Sequence, residues 1–573
     1  MAETISTHHQ TIKNPEIQYN SWFSPETGIY SSKHPKINLP KTPFLDIVTH
    51  IFSYHKNGIS NSVLVDSSSG YSIPYSELFP LVKSMACGLH QMGISKGDVV
   101  LIFLPNSIYF PIIFLGIVYL GAIVTPMNPL SSFSEAKKQT LNSHAKLAFT
   151  LPENAEKLSS LGLKTIQVVT NVLIKETQNF PEFSNLIFGK IHEKTPFLPP
   201  KINQDDTAAI LYSSGTSGAS KGVMLTHRNL IATLELFVRF EASQYKEIMD
   251  HKRNVYLAVM PMFHVYGLAL FGVGLISLGT SIVVMTKFDI NEVVKVIDKF
   301  KVTHFPLVPP ILGALTAKAR SLGGVFGVSQ LCSLKQVSCG AAPLTTKILA
   351  DFLHTFPTVD FIQGYGMTET TAVGTRGFNA PGKTHKYTSI GLLAPNMEAK
   401  VVNCSTGSCM PPGKAGELLL RGPGIMKGYF NNAEATRQTI DENGWLLTGD
   451  IVYFDNDGYI YVIDRLKDII KYKGFQIAPA DLETILVSHP EIADVAVTGV
   501  ADDKAGEIPV AFVVKKPGSL LSRNDIVKYV ADMVAPHKKV REVVFVNSIP
   551  KSVAGKVLRR NLKNLLPSNS SKL

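Results

Sequence analysis

The stretch TAAILYSSGTSGASKGVMLTHRNLIATLELFVRF, residues 207–240, decides the fold class. It opens on a short apolar run of buried-strand type, TAAILYSS, and passes into a loop of serine, threonine and glycine. It ends on an apolar pattern with helical spacing at Leu230, Leu234 and Phe237. A strand, a loop and a helix in that order are the repeating unit of an α/β layer. The loop, YSSGTSGASKGV at 212–223, carries what phosphate binding requires. Small residues let backbone N–H groups approach an oxyanion, hydroxyls add donors, and Lys221 adds charge. It is not a P-loop, because Lys221 is followed by Gly222 rather than by serine or threonine.

The alternation continues outward from this stretch. NVYLAVMPMFH reads as a strand ending at His264, and VTHFPLVP as another. DINEVVKVIDKF reads as a helix with Asp289 as N-cap and Ile290, Val293, Ile297 and Phe300 on one face. Residues up to about 45 read as an irregular lead-in. From about 376 to 464 the texture changes to short β-like pieces and turns such as Asp457-Gly458, predicting a small β-subdomain. DNDG within it is read as a hairpin turn, since the spacing of a calcium loop is missing. A last block of helix, strand, strand, helix and strand follows DRLKD and is large enough for its own core. The expected fold is α/β: layered α/β subdomains plus the β-subdomain over residues 1–466, and a small α+β domain over 467–573, divided near Lys467.

Whole-chain properties exclude several classes. At 573 residues the chain exceeds one hydrophobic core. Its net charge of +11 is scattered and lacks interleaved aromatics, which argues against a nucleic-acid partner. Five cysteines without metal spacing fit a reducing compartment. The polar N-terminus has no secretory core. IYFPIIFLGIVYLGAIV, residues 108–124, approaches a membrane span in length. Pro111 interrupts it and charged flanks are missing, so a buried core helix is expected and no transmembrane segment. Ser571, Lys572 and Leu573 form a C-terminal S-K-L, a peroxisomal address read by an import receptor.

Further motifs follow the loop: QGYGMTET at 363–370, TGD at 448–450, DRLKDIIKYKGFQIAP at 464–479 and PKSVAGKVLRR at 550–560. In this order and over nearly the whole chain they resemble the adenylate-forming superfamily of acyl-CoA synthetases, luciferases and peptide-synthetase adenylation domains. MPMFHVYGL, GAAPL, QGYGMTE and IKYKGFQIAPADLE are most similar to plant 4-coumarate–CoA ligases and their peroxisomal relatives. The chemistry agrees with the residues. A carboxylate is a poor acyl donor, and transfer to AMP creates a mixed anhydride through attack on the α-phosphate, whose charge must be stabilised by donors, lysine and Mg²⁺.

The resemblance implies ATP, Mg²⁺ and CoA, and a role for each matching position. Ser213, Ser214, Gly215, Thr216, Ser217, Gly218 and Lys221 would hold the pyrophosphate side. Gln363, Gly364 and Tyr365 would border the nucleotide, Tyr365 by the adenine, while Thr368 bonds the α-phosphate and Glu369 helps hold the metal. Asp450 would take the ribose hydroxyls, with Arg465 beside it, and Lys556 would be the adenylation lysine. The family turns its small domain about a hinge, here Lys467, to change half-reactions. Lys471, Lys473, Gly474 and Gln476 would then come to the cleft, with Gly474 leaving room for the CoA arm. His264 would serve both steps.

Tyr266, Ser338, Ala341, Gly364, Ala372 and Val373 match acyl-pocket positions. Many 4-coumarate ligases carry methionine where Ser338 sits, and their GEICIRG is GELLLRG here, with Leu419 for the cysteine. The reading is therefore a peroxisomal acid–CoA ligase for fatty, jasmonate-precursor or cinnamic-type acids entering β-oxidation. A 4-coumarate–CoA ligase of phenylpropanoid metabolism is the near alternative. A luciferase-like oxygenase is the alternative of another class, and the paired histidines of that group are missing from FHVYG. Glu369, Asp450, Lys471 and Lys556 together argue against an idle binding protein.

Overall fold

The computed structural model describes residues 22–54, 62–169, 181–188, 197–213, 220–244, 254–323, 329–378, 385–472, 475–502, 505–534, 536–552 and 555–566. Two large sheets carry the α/β layers. One has seven strands in the order Gly428–Tyr429, Lys221–Thr226, Thr207–Ser213, Ile123–Pro126, Val99–Phe103, Ala145–Thr150 and Lys164–Gln167. The other has nine, with a parallel run Asp360–Tyr365, Gln336–Cys339, His304–Leu307, Val255–Ala258, Ser281–Val284 and Ser62–Asp66. Continuous apolar strands such as Val99–Phe103 are buried along their whole length, as strands covered on both faces must be.

The helix Tyr109–Tyr119 settles the 108–124 segment. All its residues are buried, and it packs against the helices Tyr75–Gln91 and Ile47–Ser53. Complete burial of each large apolar side chain contributes roughly 1.5–3 kcal/mol, which explains an apolar run on every side of a short helix. Among the described residues no helix is long and apolar enough to cross a membrane. Helix Ile290–Phe300 forms as its pattern predicts. Asp289 accepts hydrogen bonds from the Asn291 and Glu292 amides, Val293 and Ile297 are buried, and Lys301 closes it in the left-handed region at φ 51°.

Three expectations need correction. The strand read as reaching His264 stops at Ala258, and His264 instead precedes a short turn of helix, Val265–Gly267. The helix read through 228–240 is α only over His227–Thr233, where Thr226 and Asn229 form a reciprocal cap, and then widens to a π-helix at Leu234–Arg239. The lead-in is not wholly irregular. Phe23–Ser24 and Ile29–Ser31 join Glu398–Val402, Gly416–Arg421, Leu446–Phe454 and Ile460–Arg465 in a six-stranded antiparallel sheet. Tyr30 is buried there, its ring 4.0 Å from that of Phe454, so an aromatic contact recruits a distant segment that pattern alone left out. Asp455 to Gly458 form the expected hairpin turn in this sheet.

The last block forms a five-stranded sheet. Phe475–Ile477, Ile470–Tyr472, Gly506–Lys515 and Ile492–Asp502 run antiparallel, and Glu542–Phe545 lies parallel to Gly506–Lys515. Helices Pro479–Val487 and Arg523–Ala531 cover it over a separate core containing Ile470, Leu482, Val497, Val513 and Ile526.

Candidate active site

Ligands of open α/β sheets gather at the carboxyl ends of parallel strands. At that end of Asp360–Tyr365 the chain enters the tight turn Thr368–Thr370. The turn buries Glu369, whose Oε1 accepts hydrogen bonds from Ser213 Oγ at 2.9 Å and from the Tyr429 hydroxyl at 3.1 Å. Ser213 ends the strand Thr207–Ser213, and Lys221 opens the antiparallel strand Lys221–Thr226 directly opposite it. The Lys221 ammonium stands 4.8 Å from the Tyr429 ring centroid. The loop thus connects two paired strands; Ser213 at one end bonds Glu369, and Lys221 at the other stands over the Tyr429 ring, whose hydroxyl bonds the same carboxylate. Ser214, Gly215, Thr216, Ser217 and Gly218 lie outside the described residues.

Glu369 fits a magnesium ligand. Oε1 is engaged, while Oε2 has no hydrogen bond among the described residues. Magnesium keeps most of its waters and takes one or two carboxylates plus phosphate oxygens, so no larger acidic cluster is required. None is found among the described residues.

A second carboxylate anchors the other side. Asp450 and Arg465 face each other on the paired strands Leu446–Phe454 and Ile460–Arg465. Arg465 Nε lies 2.9 Å from Asp450 Oδ1, and the Tyr365 hydroxyl donates to Oδ2 at 2.6 Å. Each carboxylate oxygen keeps a second lone pair, so a ribose diol can still donate to Asp450. Burial, with Asp450 adjoining, holds the Tyr365 phenol well above its usual range, so the ring stays neutral. Lys556 joins this cluster from the last block. Burial, then the neighbouring Arg465 and Lys467, lowers its pKa to about 8, although Asp450 and Asp468 act in the opposite sense. Its loop rests on the larger part of the chain: a Cβ on Gly555, at φ +76°, would lie 2.7 Å from Pro310 Cγ.

Lys471 is elsewhere. It is exposed on Ile470–Tyr472, where its amide donates to Glu507 Oε2 at 2.9 Å. Gln476 lies opposite it in register, but its side chain, like Lys473 and Gly474, lies outside the described residues. Lys467 is exposed just after Ile460–Arg465, between the two sheets. His264 keeps solvent access although protein surrounds it on most sides, and that crowding lowers its pKa. Gln363 donates to the Tyr387 carbonyl at 2.5 Å and fixes the strand beside the nucleotide residues.

The predicted acid-pocket residues fall in two places: Ser338, Tyr266 and Gly364 about Gly340, and Ala372 and Val373 against Gly366 and Gly424. Ser338 is buried on the adjacent strand, and Tyr266 lies about Gly340. Ala341 and Ala372 hold left-handed conformations at φ 69° and 64°, with Thr371 at 52°. Non-glycine residues rarely adopt that region, and such strain concentrates at functional sites. Three participants escaped the sequence reading: Tyr429, Glu241 and Arg376. Arg376 Nε and Nη2 donate to Glu241 at 2.5 and 2.9 Å. No motif contains this pair, because its partners are 135 residues apart.

Residues 55–430 match the AMP-binding enzyme family, and residues 481–556 match the AMP-binding enzyme C-terminal domain. The chain is 56% identical over 577 residues to 4-coumarate–CoA ligase-like 6 of Arabidopsis thaliana, covering 99% of each. It is 41% identical to peroxisomal OPC-8:0-CoA ligase 1 of the same plant, covering 97% of this chain and 99% of that one. Its fold superposes at TM-score 0.74 and 24% identity on O-succinylbenzoate coenzyme A synthetase from Bacillus subtilis in complex with ATP and magnesium ion. That match covers 91% of this chain and 99% of the other.

Proposed function

Because the chain belongs to the AMP-binding enzyme family, as an AMP-forming acid–CoA ligase that uses ATP, Mg²⁺ and CoA, we propose that Lys556 and the Tyr365–Asp450–Arg465 cluster form its adenylation site. The carrying observation is the Tyr365–Asp450–Arg465 hydrogen-bonded cluster, with the buried Lys556 of the last block within its electrostatic reach. In the first half-reaction the acid's carboxylate oxygen attacks the α-phosphate and pyrophosphate leaves. Asp450 orients the ribose, Tyr365 borders the base, and Lys556 and Thr368 neutralise charge on the α-phosphate oxygens. Ser213, Lys221 and the loop between them receive the departing pyrophosphate. Magnesium held through Glu369 supplies further neutralisation of the phosphates.

In the second half-reaction the CoA thiolate sulfur attacks the acyl carbon, and AMP leaves. Residues 467–573 turn about Lys467, replacing Lys556 with Lys471, Lys473, Gly474 and Gln476. Exposure of Lys471 and Lys467 is consistent with that exchange. His264, in a crowded pocket that keeps its imidazole neutral, borders the acyl carbon in both steps.

The acid is a fatty, jasmonate-precursor or cinnamic-type acid, activated in the peroxisome. Support comes from the S-K-L tail and from the relative named as peroxisomal. The test is a panel of these acids with purified protein, ATP, Mg²⁺ and CoA, scored for pyrophosphate and thioester. We expect both products in equal amounts with at least one class. Pyrophosphate without thioester, or neither product with any acid, overturns the proposal.

A further inference from the structure

We propose that Arg376, held by Glu241, is a specificity residue that recognises a hydroxyl or keto oxygen at the far end of the acid. This deepens the ligase reading and rests on it.

The two side chains are only 13% and 16% exposed. They are shared by the walls of two small cavities. One is bordered by Tyr256, His304, Gln336 and Ser338, the other by Phe237, Ala372 and Val373, and both by Glu241 and Arg376. Ser338, Ala372 and Val373 are acid-pocket positions, so the ion pair stands inside the pocket. The guanidinium is also fixed from the sides. It stacks 4.9 Å from the Phe237 ring centroid, and a Cβ on Gly364 would approach Nη1 to 3.0 Å. Burial would lower the Arg376 pKa, but Glu241 and the Tyr266 hydroxyl outweigh it, and the group stays charged.

Two groups here are imperfectly satisfied. Glu241 takes Nε and Nη2, and Nη1 has no well-aligned hydrogen bond among the described residues, only the adjoining Tyr266 hydroxyl. The Tyr266 hydroxyl is buried and has no hydrogen-bond partner within normal geometry, although Ser338 and Arg376 adjoin it. Burying unsatisfied polar groups costs free energy, so this end of the pocket is built for an oxygen and not for a plain alkyl chain. An oxygen received beside Arg376 and Tyr266 gives each a well-aligned partner. A saturated hydrocarbon tail would instead desolvate them without return. Glu241 acts as the positioning residue: it fixes the guanidinium and leaves Nη1 pointing away from itself.

Matched acids test this. kcat/KM is measured for 4-hydroxycinnamate against cinnamate, and for a keto-cyclopentane alkanoic acid against the same acid without the keto oxygen. The wild-type protein should prefer the oxygenated member of at least one pair by about tenfold or more, and the preferred pair identifies the source of the oxygen. The neutral double variant Arg376→Met with Glu241→Gln should compress that preference to about twofold. It should do so through KM for the oxygenated acid, with KM for ATP unchanged. Arg376→Lys should restore part of it. Equal use of both members by the wild-type protein overturns the inference without needing any variant to fold. A preference that survives in the double variant also overturns it. Activity confined to plain alkyl acids sinks this inference while leaving the ligase reading intact, whereas no turnover with any acid sinks both.

Discussion

The two ends of the cleft are built differently. At the proposed nucleotide end, Asp450 and Arg465 are partners in strand register, and Tyr365 and Glu369 come from one strand and the turn after it. Strand register and one tight turn set those positions, even where the partners are distant in sequence, as Tyr365 and Asp450 are at 85 residues. At the acid end, Glu241 and Arg376 meet across 135 residues, and both depend on how separate elements pack. A site fixed by strand register serves every acid alike; a site fixed by packing can change with little effect on the chemistry. Lesions at the nucleotide end should therefore slow all acids equally, and lesions at the acid end should redistribute rate among them.

The largest effect tests the first half of that contrast. Lys556→Ala should reduce acyl-AMP formation by about 10²–10³-fold for every acid, the scale of a lost charge-stabilising donor. It should leave thioester formation from supplied acyl-AMP near the wild-type rate. Lys471→Ala should give the reverse pattern. Single-turnover assays of each half-reaction decide. Equal losses in both steps, or losses that vary from acid to acid, would break the contrast.

A smaller effect comes from proton binding. The folded-state pKa of Lys556 is lowered to about 8, so its positive charge is present below that value and lost as pH rises through it. Adenylation should therefore fall above about pH 8, approaching tenfold per unit, with the same midpoint for every acid. Lys556→Arg, which keeps its charge throughout, should lower the plateau and remove the alkaline limb. A limb that persists in this variant assigns the titration to another group.

The same contrast explains what the sequence revealed. QGYGMTET, TGD and DR are each unbroken in sequence, and strand register keeps their residues side by side after folding. Lys556 was legible for another reason: the PKSVAGK motif carries it, although the charges that act on it, Arg465 and Asp450, lie about a hundred residues earlier in the chain. Glu241 was hidden by helix geometry. The π-helix Leu234–Arg239 precedes it, and the wider turn rotates everything downstream away from the face that a 3.6-residue period predicts. Arg376 follows a turn in which Thr371 and Ala372 are both left-handed, a reversal that neither residue type announces. Tyr429 reached Glu369 through a two-strand contact, Gly428–Tyr429 against Val223 and Met224, with no pattern of its own. The N-terminal strands were missed because five residues in two pieces leave no periodicity to read.

The smallest effect is the sharpest probe of the acid end. Tyr266→Phe deletes a buried hydroxyl that adjoins Ser338 and Arg376 but makes no well-aligned hydrogen bond among the described residues. Removing an unsatisfied buried group without changing the ring should stabilise the protein without acid by up to about 1 kcal/mol, a rise of a degree or two in Tm. The same change should lower kcat/KM for an oxygenated acid by about three- to tenfold and spare its deoxygenated analogue. Stability and specificity thus move in opposite directions, which a merely structural tyrosine would not produce. Thermal melting of the protein without acid, set beside kcat/KM for one matched pair of acids, reads both. A fall in Tm would mean that the hydroxyl already has a partner in the folded protein, and the acid end would then be as internally satisfied as the nucleotide end.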